Sequence, residues 1–245
     1  MAEQSCLATN DWICGEYLRS RSQELADATV QHIGITVVSV LIGLAVAFPL
    51  ALLARRGPRF AAPVLGLTTV LYTVPSLAMF SLLLPLFGLS AALVVTGLVL
   101  YSLTILVRNI LAGLDAVPQE AKEAARGMGY GPGRLLWEVE LPLALPAVMA
   151  GLRIATVSTV ALTTVGSLVG KGGLGNLIED ALPSFFKAQV LTAAVLCVVL
   201  AVVADLLLLG LQRLLTPWTR ISGAVEAGPA KTDAGPPAPA TVKAG

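Results

Sequence analysis

The chain is 245 residues long, 56% hydrophobic and only 13% charged, where soluble domains carry roughly 25% charged residues. Its mean hydropathy is +0.83, which excludes an ordinary soluble globule, and the length suits one domain. With 16 basic and 15 acidic side chains the net charge is +1, so nothing in bulk electrostatics draws the chain to nucleic acid.

In chain order, residues 1–30 are polar, lack an apolar core beside Met1, and do not read as a cleavable signal peptide. Cys6 and Cys14 in this segment stand either as a disulfide or as two free thiols. The domain proper covers 31–215. A hydrocarbon core of about 30 Å requires about 20 apolar residues of helix. Residues 33–54 form an uncharged run between His32 and Arg55-Arg56. Residues 60–107 are uncharged but too long for one helix, and Pro85 followed by Phe87-Gly88-Leu89-Ser90 divides them. Residues 143–169 hold one charge, Arg153, and residues 190–211 hold one, Asp205. The predicted spans are therefore 33–54, 62–86, 91–108, 143–169 and 190–211, an all-α integral membrane fold of five transmembrane helices. Pro49, Pro75, Pro85 and Gly97 permit bending, and Pro146 adds a kink. Cys197 in the last span reads as a small packing residue. The tail, 216–245, is rich in Pro, Gly and Ala and reads as disordered.

Basic residues orient such a fold. One side collects Arg55, Arg56, Arg59, Arg108, Lys122, Arg126, Arg134, Arg213 and Arg220; the other has Arg19, Arg21, Lys171 and Lys187. The first side is expected in the cytoplasm, with the N-terminus outside and the C-terminus inside.

That places the polar island at 118–142 in the cytoplasm. Pro118 suits the first turn of a helix, and Glu120 and Glu123 near its start favour the helix dipole. Ala121, Ala124 and Ala125 form a small-residue face open to close approach by another protein. Gly127, Gly129, Gly131 and Pro132 break the helix. A second short helix, 133–140, leads to Leu141-Pro142, where the next span is expected to start.

The island resembles the EAA loop of ABC-type importer permeases: Glu-Ala-Ala, three residues, Gly, nine residues, an aliphatic, one residue, Leu-Pro. The matching residues are Glu123, Ala124, Ala125, Gly129, Val139, Leu141 and Pro142, with Val139 where Ile is commoner. The resemblance implies the type I importer permease fold, in which this loop forms a coupling helix docked on a cytoplasmic ATPase. Glu123 would be a polar anchor and Gly129 a tight turn. Over about 28–212 the chain also resembles permeases for glycine betaine, choline and carnitine. The carrying segments are Val74-Pro75-Ser76-Leu77-Ala78-Met79-Phe80, Tyr101 with Arg108-Asn109, and Val165-Gly166 leading to Gly170-Lys171-Gly172-Gly173-Leu174-Gly175. Lys171 departs from the small neutral residue expected there. Methionine-type permeases share the compact five-helix plan and stand as the alternative.

Gly170, Gly172, Gly173 and Gly175 also fit G-x-G-x-x-G, but a dinucleotide fingerprint needs a strand before it and a helix after it. Following a membrane helix, they read as an extracytoplasmic turn. No phosphate loop is present, so the chain is expected to bind no cofactor; ATP and Mg would be handled by the partner ATPase. No metal ligands are grouped, and the one histidine, His32, lies at the edge of a span far from any candidate base, which argues against an intramembrane enzyme. Five spans do not split into the inverted halves of an ion-coupled secondary transporter. Arg153 and Asp205 lie at similar depth, and each either snorkels to the interface or pairs with the other. A quaternary ammonium has no N–H to donate, so aromatic faces suit it. Tyr72, Phe80 and Tyr101, with Pro75 and Ser76, are the pathway candidates, against a plain packing role for the rings.

The expectation is thus a permease subunit in a bacterial cell membrane, not itself an enzyme. Its expected partners are ATPase subunits, a second identical or sister permease, an extracytoplasmic binding protein and membrane lipid.

Overall fold

The computed structural model describes residues 6–7 and 9–218; residues 219–245, with Arg220 and most of the expected tail, lie outside them. Among the described residues there is no strand. Short α1 (Gly15–Ser20) leads into α2 (Ser22–Ala54), followed by α3 (Pro58–Thr73), α4 (Ser76–Phe87), α5 (Ala91–Asp115), α6 (Gln119–Gly127), α7 (Pro132–Leu135), α8 (Leu141–Thr163), α9 (Leu174–Ala181) and α10 (Lys187–Leu215).

The centre of the bundle is α5, which packs on α2, α8, α3 and α4. Its approach to its neighbours depends on small residues, as expected where lipid supplies no hydrophobic drive between helices. A Cβ on Gly43 of α2 would come within 2.4 Å of Ser102 Oγ, and one on Gly151 of α8 within 2.3 Å of Asn109 Cβ. Around these contacts Leu106, Val107, Ile110 and Leu114 of α5 are sealed against Ala47, Ala51 and Ala144. Ser90 caps α5 by accepting from the Leu93 N–H, the usual service of a serine before a helix. At the other extreme, no residue in the most apolar window of α10 is buried within the chain.

Among the described residues four helices are long and apolar enough to cross a membrane, and a fifth crossing is available as a bent pair. The expected continuous span at 62–86 is in fact two helices, α3 and α4, meeting at 101°. The break falls at Val74-Pro75: Val74 is extended and Pro75 has no N–H to continue the ladder. Pro49, Pro63, Pro85 and Pro146, by contrast, all lie inside helices. Nor does a new helix start at Leu141-Pro142. From α7 the chain runs through one π-helical turn, 136–140, directly into α8. That wide turn immediately precedes Pro142, whose ring would crowd the carbonyl four residues back in a regular helix.

Opposite the α6 end, a disulfide joins Cys6 and Cys14, resolving the alternative the sequence left open. Asn10, inside the loop it closes, accepts from the Lys187 N–H and donates to the Phe185 carbonyl, both at 3.0 Å. This clips the N-terminal segment to the α9–α10 turn. Tyr17 packs edge-on against Phe186 at 5.3 Å beneath it, and Cys197 packs against the same cluster.

Candidate coupling loop and intramembrane polar sites

Helix α6 is amphipathic, but its display differs in one respect from the alanine face expected of it. Ala125 is only 2% exposed and Lys122 is also buried, its ammonium donating to the Leu114 carbonyl at 3.4 Å. Glu120, Glu123 and Ala124 face outward, and Gln119 Nε2 donates to Glu123 Oε1 at 3.2 Å. Of the Glu-Ala-Ala triplet, two residues are available to another protein and the third anchors the helix to its own chain.

The exit from α6 is a complete Schellman turn. Gly129 N–H donates to the Arg126 carbonyl at 2.9 Å and Tyr130 N–H to the Ala125 carbonyl at 3.1 Å. Gly129 sits at φ +85° with nothing within 4 Å of a would-be Cβ, so its requirement is conformational rather than spatial.

Between Val139 and Leu141 of the motif stands Glu140, which the sequence reading did not single out. It is 3% exposed and accepts both guanidinium nitrogens of Arg55 at 2.5 Å each. A bidentate fork of this kind is among the stronger charge-assisted pairs. It ties the end of α2 to the entry of α8, beside α6. The only signal in the sequence was a carboxylate placed next to an apolar run; its partner lies 85 residues away.

The pathway candidates separate into two groups. Tyr72 and Tyr101 meet edge-on, centroids 6.1 Å apart, and share a shallow recess with Ser102, Ser158 and Thr159. The Tyr101 hydroxyl donates to the Val74 carbonyl at the α3–α4 break, with Pro75 and Ser76 just beyond. Two further α5 side chains hold α3: Thr104 donates to the Thr68 carbonyl at 2.5 Å and Arg108 to Thr69 Oγ1 at 2.9 Å. Phe80 does not join this recess. It is buried with Ile35, Leu93, Val94 and Leu98, its ring covering Gly97, so it serves the core.

Arg153 and Asp205 come together. Arg153 Nε donates to Asp205 Oδ1 at 2.8 Å and a terminal nitrogen to Oδ2 at 2.7 Å, joining α8 to α10. Both side chains keep partial exposure, in an open groove with Ala150, Ile154, Val157 and Ser158. Ser158 lines this groove and the tyrosine recess alike, so the two share a wall.

The glycine segment is a packed turn. Gly170 is left-handed at φ +68°, the Gly172 N–H donates to Asn176 Oδ1 at 2.9 Å, and Gly173 lies against His32. Gly175 lies so close to the Thr164 carbonyl that a Cβ would stand 2.3 Å from it. His32, fully buried, has Nε2 3.0 Å from the Val160 carbonyl.

A bundle of membrane-length helices with one displayed polar helix is the build of a transporter membrane subunit, and solved structures share it. A chain of the MetNI methionine ABC transporter in an inward-facing form superposes with a TM-score of 0.73 at 22% identity, covering 80% of this chain and 98% of that one. An amino acid ABC transporter crystallised with histidines gives 0.68 at 18% identity, over 80% and 96%. This is the type I permease fold expected from the sequence. Residues 39–221 match the family of binding-protein-dependent transport system inner membrane components, and the chain belongs to that family. Among its relatives, the osmoprotectant import permease protein OsmW of Salmonella typhimurium is 36% identical over 206 residues, 82% of this chain and 96% of that protein. The choline transport system permease protein OpuBB of Bacillus subtilis is 33% identical over 202 residues, covering 82% and 93%. The carnitine transport permease protein OpuCB of Listeria monocytogenes is 34% identical over 201 residues, covering 82% and 92%.

Proposed function

We propose that this chain is the permease subunit of an ATP-binding cassette importer that carries quaternary-ammonium osmoprotectants, such as glycine betaine, choline or carnitine, across a bacterial cell membrane. The observation that carries the reading is α6. A short polar helix, anchored by Ala125 and closed by Gly129, presents Glu123 and Ala124 on its exposed face. The osmoprotectant class rests on relatives covering 82% of the chain, whereas the methionine alternative draws on fold alone.

In this reading the arginine-rich end lies in the cytoplasm. A separate ATPase there binds and hydrolyses ATP with Mg, and this chain is not the hydrolase. A second permease, identical or sister, completes the pathway, and an extracytoplasmic binding protein delivers the solute. Movement of α6 is passed to α2 through Arg55 and Glu140 and to the bundle through α8. Tyr72 and Tyr101 at the α3–α4 break offer aromatic faces to a cation that has no N–H donor.

The test is uptake of radiolabelled betaine, choline, carnitine and methionine in cells supplied with the ATPase and binding protein, with and without this chain. Quaternary amines should accumulate and methionine should not. Gly129→Asp should lower uptake by about tenfold or more at unchanged membrane abundance. Methionine uptake alone would replace the substrate class, and undiminished uptake by the Gly129→Asp protein would remove α6 from the coupling role.

A further inference from the structure

Behind α6, at the arginine-rich end, lies a recess of about 280 Å³ bounded by the end of α2, by α6 and by α7. Three guanidinium groups, Arg55, Arg56 and Arg126, line it together with a single carboxylate, Glu140. That carboxylate is committed to Arg55 through both oxygens. The guanidinium groups of Arg56 and Arg126 make no hydrogen bond or ion pair among the described residues, although Arg126 stands near enough to act on the charge of Glu140. Lys122 also stands near enough to act on the charge of Glu140, and Asp115 on that of Arg55, so two acids face four bases. The recess is therefore a place where positive charge outruns what the chain supplies to neutralise it.

Its remaining wall is apolar, formed by Leu52, Pro132, Leu135 and Leu136. The next residue, Trp137, stacks at a tilt on Phe48 with centroids 5.8 Å apart, yet is 61% exposed. A tryptophan so placed at a helix end marks the headgroup level of a bilayer. Charge above, aliphatic surface below and an interfacial ring beside them match one kind of molecule. A soluble carboxylate or inorganic phosphate would use the arginines and leave the leucines and the Phe48–Trp137 pair without purpose.

We propose that this recess binds the phosphodiester of an anionic phospholipid. Arg56 and Arg126 would fork onto the phosphate oxygens, and an acyl chain would descend over Leu52 and Leu136 toward Phe48. Basic pockets between membrane helices at the interface are suited to such headgroups. Neither the pathway tyrosines nor Glu123 and Ala124 of α6 line the site.

The experiment is thermal unfolding of the full purified chain in detergent, with phosphatidylglycerol, phosphatidylcholine or sodium phosphate added at equal concentration. Phosphatidylglycerol is expected to raise the midpoint by about 5 °C at saturation, and the other two to leave it unchanged. The double variant Arg56→Gln/Arg126→Gln should lose most of that shift. Arg59→Gln, an exposed arginine at the same end that does not line the recess, should keep it. Native mass spectrometry of each single variant gives a second reading, through reduced occupancy by co-purified phosphatidylglycerol. A full shift in the double variant would overturn the site. An equal arginine-dependent shift from sodium phosphate would overturn the lipid. No lipid shift at all, with the double variant losing its hold on a partner ATPase, would give the recess to a protein instead.

Discussion

Helices α6 and α9 are nearly the same length, nine and eight residues, and each joins longer helices at one end of the molecule. They are held in opposite ways. Leu174, Leu177 and Ala181 sink α9 into the chain, and Gly173 and Gly175 bring its backbone against His32 and Thr164. Helix α6 commits only Lys122 and Ala125 and keeps its acidic face free. The disulfide and the Asn10 clip reinforce the α9 end, while the α6 end relies on the Arg55–Glu140 pair, the Lys122 hydrogen bond and a Schellman turn. One end is fastened to itself, and the other is shaped to be grasped.

The contrast can be broken most severely at the α9 end. Gly175→Val drives a side chain into the Thr164 backbone, which cannot move aside, and should cost about 3 kcal/mol. Size-exclusion of detergent extracts should show little monodisperse protein; a normal yield would mean that α9 is not rigidly seated. Next, Glu140→Gln strands Arg55 and should lower stability by about 2 kcal/mol. The figure is below that of a wholly buried pair because Arg55 keeps a quarter of its side-chain surface in contact with solvent. A thermal midpoint equal to that of the parent would show that the α2–α8 tie contributes nothing.

At intermediate scale, Asp205→Asn and Arg153→Gln should each lower the yield of folded protein, and the swapped pair Arg153→Asp/Asp205→Arg should recover it. Independent losses without rescue would separate α8 from α10 energetically. The mildest test leaves the fold intact. Ala124→Cys should react readily with a maleimide in membranes and Ala125→Cys only slowly, since one faces out and the other is 2% exposed. Equal rates would mean that α6 is not anchored on its Ala125 side.

Much of this was legible in the sequence because it depends on local spacing. The run from Pro118 to Pro142 carries its own helix start and its glycine stop, and charge-free lengths located the membrane helices though not the break in the second. Arg153 and Asp205 could be paired on paper because depth along a helix is countable from either end. What depends on distant partners was hidden. Pro75 and Pro85 both looked able to bend the second span, but only Pro75 lies where α5 supplies a hydroxyl to the broken ladder. Glu140 gave no sign of Arg55, and Ala125 could not be told from Ala124 until α6 was seen from the bundle side. Phe80 stood between pathway and packing because sequence does not show which side of a helix meets Gly97.

The hydroxyl of Tyr101 on the Val74 carbonyl has a consequence for how the chain enters a membrane. A carbonyl freed at a 101° bend finds no donor in lipid, and Tyr101 supplies one from the neighbouring helix. Helices α3 and α4 therefore cannot settle as an independent hairpin in the order in which they are synthesised. Their bend is complete only when α5 has followed them and brought its tyrosine alongside. The partner of that carbonyl is a residue synthesised 27 positions after it.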